Sequence, residues 1–348
     1  MVVVVSLTIS TVIDRVRTSG VFITKEQYLY IRDQMPEIAA LQKHFISNGK
    51  IYYHPNKKKY TYALNYTLGK RQTMARFEVG SFVEKEGEIK KEDIKYYLSW
   101  TLWPHRLRNN ELQPFHDALD VLLQGLDDGS GHIPIYTYLH TYLFASVKKL
   151  EIAADFPFVE PHTFIPWKAR GFKSSIWKHP KTGEKGTTYL GSEYGTKNGF
   201  AFYGKSRQRK ETGQPPSIFA DSPCTRFESR RYKTGLKLWE LHTLKNTFLP
   251  LEIADLAIAR ALSDDVQWQQ FLDRAMTEGS AVAISSAPIG TQRDKMMAML
   301  RDAKHPGWTP GKIEQIWDGY LRAVERLHPC SLLVMSQPTA SEGQPVSL

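Results

Sequence analysis

Along this chain the apolar positions follow two different periods. From Ile51 to Phe82 they recur every second residue in IYYHP, KYTYALNYTL and MARFEVGSF, with HPNKKK and GKRQ as turns, which predicts a small antiparallel meander. The same alternation returns in KKLEIAADF, in GFAFYGK and in TRFESRRY. The opening MVVVVSLTIS reads as a buried strand. It has no basic leader and meets Asp14, Arg15 and Arg17 too soon for a membrane span of about 20 apolar residues.

Helical spacing governs much of the remainder. Tyr28, Ile31, Met35, Ile38 and Leu41 form one stripe over Thr24 to Lys43. A second helical pattern runs from Lys90 to Leu126, broken at Trp103 and Pro104 and restarting near Pro114. The loop DDGSGHIP then separates two halves, and IYTYLHTYLF begins helically before a strand that starts near Val147. Beyond Tyr232 the pattern is helical. Pro250 opens one helix, Ser263 with Asp264 and Asp265 caps another, and Thr309 with Pro310 starts a third, striped by Ile313, Ile316, Trp317, Tyr320, Val324 and Leu327. Residues 331–348 read as a disordered tail. The expectation is an α+β protein of antiparallel sheets with flanking helices. Its parts are an N-terminal half (1–126), a second half (133–245) and a helical C-terminal region (246–330).

The halves carry a weak internal similarity, either a repeat or a chance likeness of two amphipathic hairpins. YTYALNYTLGKRQTMARFEV matches GFAFYGKSRQRKE followed by CTRFESRRY: each has an aromatic strand, a basic turn and an Arg-Phe-Glu strand, which sets Glu78 against Glu228.

Composition adds a partner class. The 348 residues carry a formal charge of +10, which makes a polyanion, nucleic acid first, the partner to consider. Tyrosines alternating with lysines between 52 and 66 fit base stacking and phosphate attraction, or simply strand packing. Two cysteines, Cys224 and Cys330, form no CxxC pair, in keeping with a reducing cytoplasm. No His-x-His pair, phosphate-binding Gly-x-x-x-x-Gly-Lys-Ser/Thr loop, Gly-x-Ser-x-Gly elbow or Rossmann glycine fingerprint occurs.

The candidate chemistry lies on strand faces. In KKLEIAADF, alternation places Glu151, Ala153 and Asp155 on one face. Carboxylates so close repel unless a cation lies between them, and a hard ion such as Mg²⁺ or Mn²⁺ suits oxygen ligands; solvated acids on a half-exposed strand are the alternative. In TRFESRRY, Arg226, Glu228 and Arg230 share a face, as phosphate clamps or as a salt-bridge ladder. In NGFAFYGKSRQRK, Phe200 and Phe202 face inward while Ala201, Tyr203 and Lys205 face the other way, and Arg207, Arg209 and Lys210 supply further positive charge for DNA. A phenol needs a nearby cation to become a competent nucleophile at neutral pH.

The ordered blocks KKLEIAADF, GFAFYGK and TRFESRRYKTGLKLWEL, with MARFEVG as a fainter one, resemble the replication initiators of filamentous bacteriophages, the gene II type endonucleases, and more distantly rolling-circle plasmid initiators. That resemblance covers roughly Ile51 to Leu241. It implies an enzyme that nicks one strand of the double-stranded origin, stays on the 5′-phosphate through tyrosine, and rejoins the displaced single strand as a circle, alongside a host helicase and polymerase. It assigns the nucleophile to Tyr203 with Lys205 beside it, and metal ligation to Glu151, Asp155 and Glu228. This chain departs at Glu151, where Asp is commoner, and at Gln208, where an acid often follows. Plasmid initiators carry tyrosine where Phe227 stands, so Tyr232 is the reserve nucleophile. The family also raises an internal start, for instance at Met276. A non-enzymatic origin-binding protein or repressor is the alternative reading.

Overall fold

A computed structural model describes residues 9–19, 21–41, 45–48, 60–67, 73–83, 94–106, 113, 116–117, 145–157, 159–160, 162–168, 173–178, 183, 185–191, 198–211 and 222–327. Of the expected strand MVVVVSLTIS only Ile9 and Ser10 are among them, and the IYYHP strand, the 135–144 helix and the 331–348 tail lie outside them.

In chain order the elements are β1 (Ser10–Thr18), β2 (Val21–Ile23), α1 (Lys25–Leu41), β3 (Phe45–Asn48), β4 (Tyr60–Tyr66), β5 (Ala75–Val83), β6 (Ile94–Leu102), β7 (Val147–Pro157), β8 (Phe164–Trp167), β9 (Ser174–Lys178), β10 (Lys185–Gly191), β11 (Gly199–Gly204), α2 (Lys205–Glu211), β12 (Cys224–Tyr232), β13 (Glu252–Asp255), α3 (Leu256–Ala261), α4 (Val266–Thr277), α5 (Ser280–Ser286), α6 (Thr291–Asp302) and α7 (Pro310–Glu325). The fold is α+β, with antiparallel sheet, flanking helices and a helical C-terminal region. Among the described residues, no helix is long and apolar enough to cross a membrane.

The chain divides into two compact units. One is built from residues 1–20, 99–105 and 146–323, the other from 21–98, 106–145 and 324–348. In the first, the strands run in the order β6 (its Ser99–Leu102 end), β1, β7, β12, β11, β10, β9. One face of this sheet is apolar because alternation sends Ile152, Ala154, Phe156, Phe202 and Phe227 to the same side. There Phe227 meets Phe156 at 4.3 Å, Phe164 and Phe202 at 5.1 Å and Trp308 at 5.5 Å between ring centroids. The C-terminal helices cover a neighbouring core in which Trp268, Phe271 and Leu272 of α4 pack with Ile165 and Trp167 of β8. Gly279, at φ +104°, caps α5 where a Cβ would come within 2.4 Å of Ser174 Oγ. That hydroxyl accepts from the Ala281 amide and ties β9 to the helix.

In the second unit, β3, β4, β5 and the Ile94–Leu98 end of β6 lie side by side, with β2 on β6 and α1 against the β3–β5 strands. The α1 stripe is as expected: Tyr28, Ile31, Met35 and Ile38 are buried. The β4–β5 and β11–β12 hairpins match position for position. Ala63 faces Glu78 as Ala201 faces Glu228, Leu64 faces Phe77 as Phe202 faces Phe227, and Asn65 faces Arg76 as Tyr203 faces Arg226. The internal repeat is therefore one of register as well as of sequence.

Three expectations are corrected. Lys90 to Leu126 is not helical throughout: its Ile94–Leu102 stretch is strand β6, in which Leu98, Trp100 and Leu102 alternate with Ser99 and Thr101, a period of two that the longer helical reading passes over; both sets are buried. Pro250 opens no helix. It precedes β13, and α3 starts six residues later with Asp255 as N-cap, accepting from the Ala257 and Ile258 amides. Lys205 is not the end of a strand but the first residue of α2, because β11 stops at Gly204. The other helix starts stand: Asp265 caps α4, and Pro310 is the first residue of α7, where Thr309 Oγ1 accepts from the Lys312 amide. Met276 lies one residue from the end of α4, so a product begun there would lack every strand of the sheet and most of α4.

Candidate active site

The face of the sheet opposite the aromatic core carries the polar residues, and register arranges them in three rows. Tyr203, Arg226, Asp155 and Ser10 form the first. Ala201, Glu228, Ala153 and Val12 form the second, and Gly199, Arg230, Glu151 and Arg15 the third. Small residues at 199, 201 and 153 leave room around Glu228. A bulge in β1 between Ile13 and Arg15 adds Asp14 to this group.

Hydrogen bonds connect the rows. Tyr203 Oη donates to Glu228 Oε2 at 3.0 Å, and Arg230 Nε donates to Glu228 Oε1 at 2.7 Å. Arg226 grips Asp155 with two bonds, Nε to Oδ1 at 2.6 Å and Nη2 to Oδ2 at 2.7 Å, and its Nη1 donates to Asp14 Oδ1 at 2.5 Å. Asp14 also faces His105, whose Nδ1 is 3.4 Å from Oδ1 and 2.9 Å from the Asp14 carbonyl oxygen. Glu151 pairs with Lys149 and with Arg15, the latter at 3.3 Å. Lys205 Nζ donates to Gln208 Oε1 at 2.7 Å.

The network is deeply set: Arg226 is 2% exposed, Glu151 and Glu228 3% each. Burial shapes its ionisation. It pushes the Tyr203 phenol well above its ordinary range, with the Glu228 charge acting in the same direction. It pulls Lys205 down to about 8, helped by the Arg226 charge. Glu151 is raised by burial and then by Glu228, against the opposing pull of Arg15 and Lys149. Asp14 is also penalised by burial, but His105, Arg226, Lys205 and Arg15 together outweigh this and hold its carboxyl below the ordinary value.

Compared with models of protein families and with curated proteins, the chain finds no match. Its chemistry has to be judged from the residues themselves.

Of the residues singled out in the sequence, Tyr203, Arg226, Glu228, Arg230, Glu151 and Asp155 share one face, and Lys205 acts electrostatically on Asp14 of the same network. Tyr232 stands at the end of β12, where its ring receives the Lys149 ammonium at 5.2 Å, two strand positions beyond Arg230. Arg207 and Arg209 belong to α2, as does Lys210, whose side chain lies outside the described residues. Asp14 and His105 were not singled out. Asp14 sits in STVIDRVRT as one acid among basic residues, and a bulge leaves no mark in the sequence; nothing in LWPHR distinguishes His105.

As metal ligands the three acids are unequal. Among the described residues, no group of three or more His, Cys, Asp or Glu comes together as an ion site. Both Asp155 oxygens accept from Arg226, which makes Asp155 the anchor of that guanidinium. Glu151 and Glu228 do repel each other on a buried face, a condition that a divalent cation relieves. All three are held as they stand, Asp155 by Arg226, Glu228 by Tyr203 and Arg230, and Glu151 by Lys149 and Arg15, so an ion between Glu151 and Glu228 would have to displace some of these contacts.

Proposed function

We propose that this protein is a DNA nicking and closing enzyme, a rolling-circle replication initiator of the filamentous-phage type, with Tyr203 as nucleophile. The observation that supports it best is the Tyr203 hydroxyl bonded to Glu228 in the row that faces Arg226. In this reading Tyr203 Oη attacks a backbone phosphorus and the P–O3′ bond breaks. The 5′-phosphate remains on tyrosine, Glu228 accepts the phenolic proton, and the 3′-oxygen takes up a proton from Lys205 or from water. Attack by a 3′-hydroxyl reverses every step and closes the strand, because the phosphoester is conserved. Neutralising the developing charge near a desolvated cation is the main electrostatic contribution of such a site. Arg226, fixed by two aspartates, orients this row; Arg230 holds Glu228.

Mg²⁺ or Mn²⁺ would be held by Glu151 and Glu228, and would supply charge neutralisation at the phosphate oxygens. The partners are double-stranded origin DNA and the displaced single strand, with host helicase and polymerase as the family implies, in the host cytoplasm.

The depth of the ion pairs favours a second reading, in which the face is a polar core and the protein grips DNA without cutting it. Supercoiled origin DNA, purified protein and Mg²⁺ separate the two. The first reading expects a covalent protein–DNA adduct that Tyr203→Phe abolishes and Tyr232→Phe leaves intact. An adduct that survives Tyr203→Phe refutes the site, and no adduct with the wild type supports binding alone.

A further inference from the structure

The polar face does not end at Tyr203. Register carries its first row outward across two more strands, from Tyr203 to Thr187 of β10 and on to Trp177 of β9, and its second row to Tyr189 and Ser175. With neighbouring strands about 4.8 Å apart, the Trp177 backbone lies about 10 Å from that of Tyr203, and the small Thr187 stands between them. The nicking chemistry uses none of these positions.

Trp177 is 41% exposed, although tryptophan is highly buried on average. Tyr189, the aromatic of the next row, is half-buried and faces the Arg230 guanidinium at 5.4 Å. The posture of the indole has a local cause. The β9–β10 register shifts between Lys185 and Thr187, and a Cβ at Gly186 would fall 2.4 Å from Cε3 and 2.5 Å from Cζ3 of Trp177. Part of the ring therefore packs on bare backbone at the bulge, while the rest stays in solvent. β9, the last strand of the order, is pinned from behind: Ser174 belongs to the apolar face, where its hydroxyl accepts from the Ala281 amide of α5. Exposed lysines stand at both ends of this strand, Lys173 just before it and Lys178 as its last residue, and it contains no acid. A flat ring held against a rigid strand loses little freedom on binding, and cations beside it attract a phosphate backbone; nucleic-acid single strands are gripped by this pairing of stacking and charge.

We propose that Trp177 is a stacking platform for single-stranded DNA, receiving a base that adjoins the phosphate presented to Tyr203. This rests on the reading that the polar face receives a DNA strand, whether or not the strand is cut. Covering Gly186 at the sheet edge is the purely structural role for the same indole. The two roles differ in what they expect of the bases.

Fluorescence anisotropy of the full chain tests it, at low salt and without divalent ion, with labelled (dT)₁₂ and with an abasic oligomer of the same length and backbone. Removing the bases should weaken binding by wild type about fivefold or more. Trp177→Leu still covers Gly186 but offers no ring; it should lose a similar factor on (dT)₁₂ and nothing on the abasic oligomer, while Trp177→Phe keeps most of the binding. Gly186→Ala, which displaces the indole, should behave as Trp177→Leu does, and it decides the matter if Trp177→Leu does not fold. A role confined to covering the sheet edge would instead lower stability in urea and weaken both probes alike. Trp177→Leu within twofold of wild type on (dT)₁₂, an equal loss on both probes, or wild type that binds neither, overturns the proposal. Failure of the nicking reading shows separately, as a missing covalent adduct with wild type, and leaves the (dT)₁₂ result standing.

Discussion

Arg226→Met is the sharpest test of how the polar face is held together. The side chain makes three charge-assisted hydrogen bonds, two to Asp155 and one to Asp14, and it is buried. Each such bond is worth about 1.5–3 kcal/mol when its partner is left unsatisfied. The sum overstates the loss, because the two aspartates retain slight exposure and His105 still faces Asp14. The measured cost of breaking a buried pair by removing one partner, about 3–5 kcal/mol, is the better expectation. For a unit of this size that lowers Tm by roughly 6–20 °C. Urea unfolding at pH 7, followed by circular dichroism, reads the change directly. The control is Arg274→Met, which removes an exposed helix pair with Glu278 and should cost about 1 kcal/mol or less. Neutralising both partners in the Arg226→Met background, with Asp14→Asn and Asp155→Asn, should recover a large part of the loss. If Arg226→Met costs no more than Arg274→Met, the network is not a structural anchor and the reasoning fails.

Four further outcomes are expected. Lys205 titrates near 8 in the folded chain, so kcat/KM for nicking should fall as pH rises through about 8, and Lys205→Arg should remove that fall. The same depressed value means that the folded state binds fewer protons than the unfolded one between about 8 and 10.4; stability should gain a rising slope there that Lys205→Met loses. Asp14 behaves in the opposite sense at acid pH. Its carboxyl is held below 3.8, so its stabilising contribution is complete above the unfolded value and is lost as pH falls through the folded one; Asp14→Asn should make acid unfolding in that range shallower. Removing the α4 cap with Asp265→Ala should cost about 1 kcal/mol in thermal unfolding, since two amides lose their acceptor.

What the sequence disclosed depended on whether a strand has one polar face. β7 and β12 put acids or bases on one face, and β11 sets Tyr203 opposite Phe200 and Phe202, so their faces were legible from alternation; the grouping of Tyr203 with Arg226 and Glu228 comes from the resemblance of the ordered blocks, not from alternation. β6 carries the same alternation, Leu98, Trp100 and Leu102 against Ser99 and Thr101, but a single helical reading from Lys90 to Leu126 passes over it. Lys205 was misplaced for a related reason: a period of two was continued through Gly204, where the backbone turns into a helix. The partners were hidden for a different cause. Alternation gives the face of a residue but not which strand lies next to it, so the grip of Asp14 and Asp155 on Arg226 had no signal in any single stretch. The helix caps at Asp265 and Thr309 were legible because their acceptors lie within three residues of the amides they satisfy.

The position of β1 has a consequence for how the chain is made. This strand lies between β6 and β7, and its Asp14 meets Arg226 across 212 residues of sequence. At about 5–20 residues per second, a ribosome needs roughly 10–40 s between delivering one and the other. Both neighbours of β1, β6 and β7, are made well within that interval, so its edges can be paired while Asp14 still waits for its guanidinium. A nascent chain interrupted before β12 carries neither Arg226 nor Glu228, so the polar face exists only once β12 has joined β7.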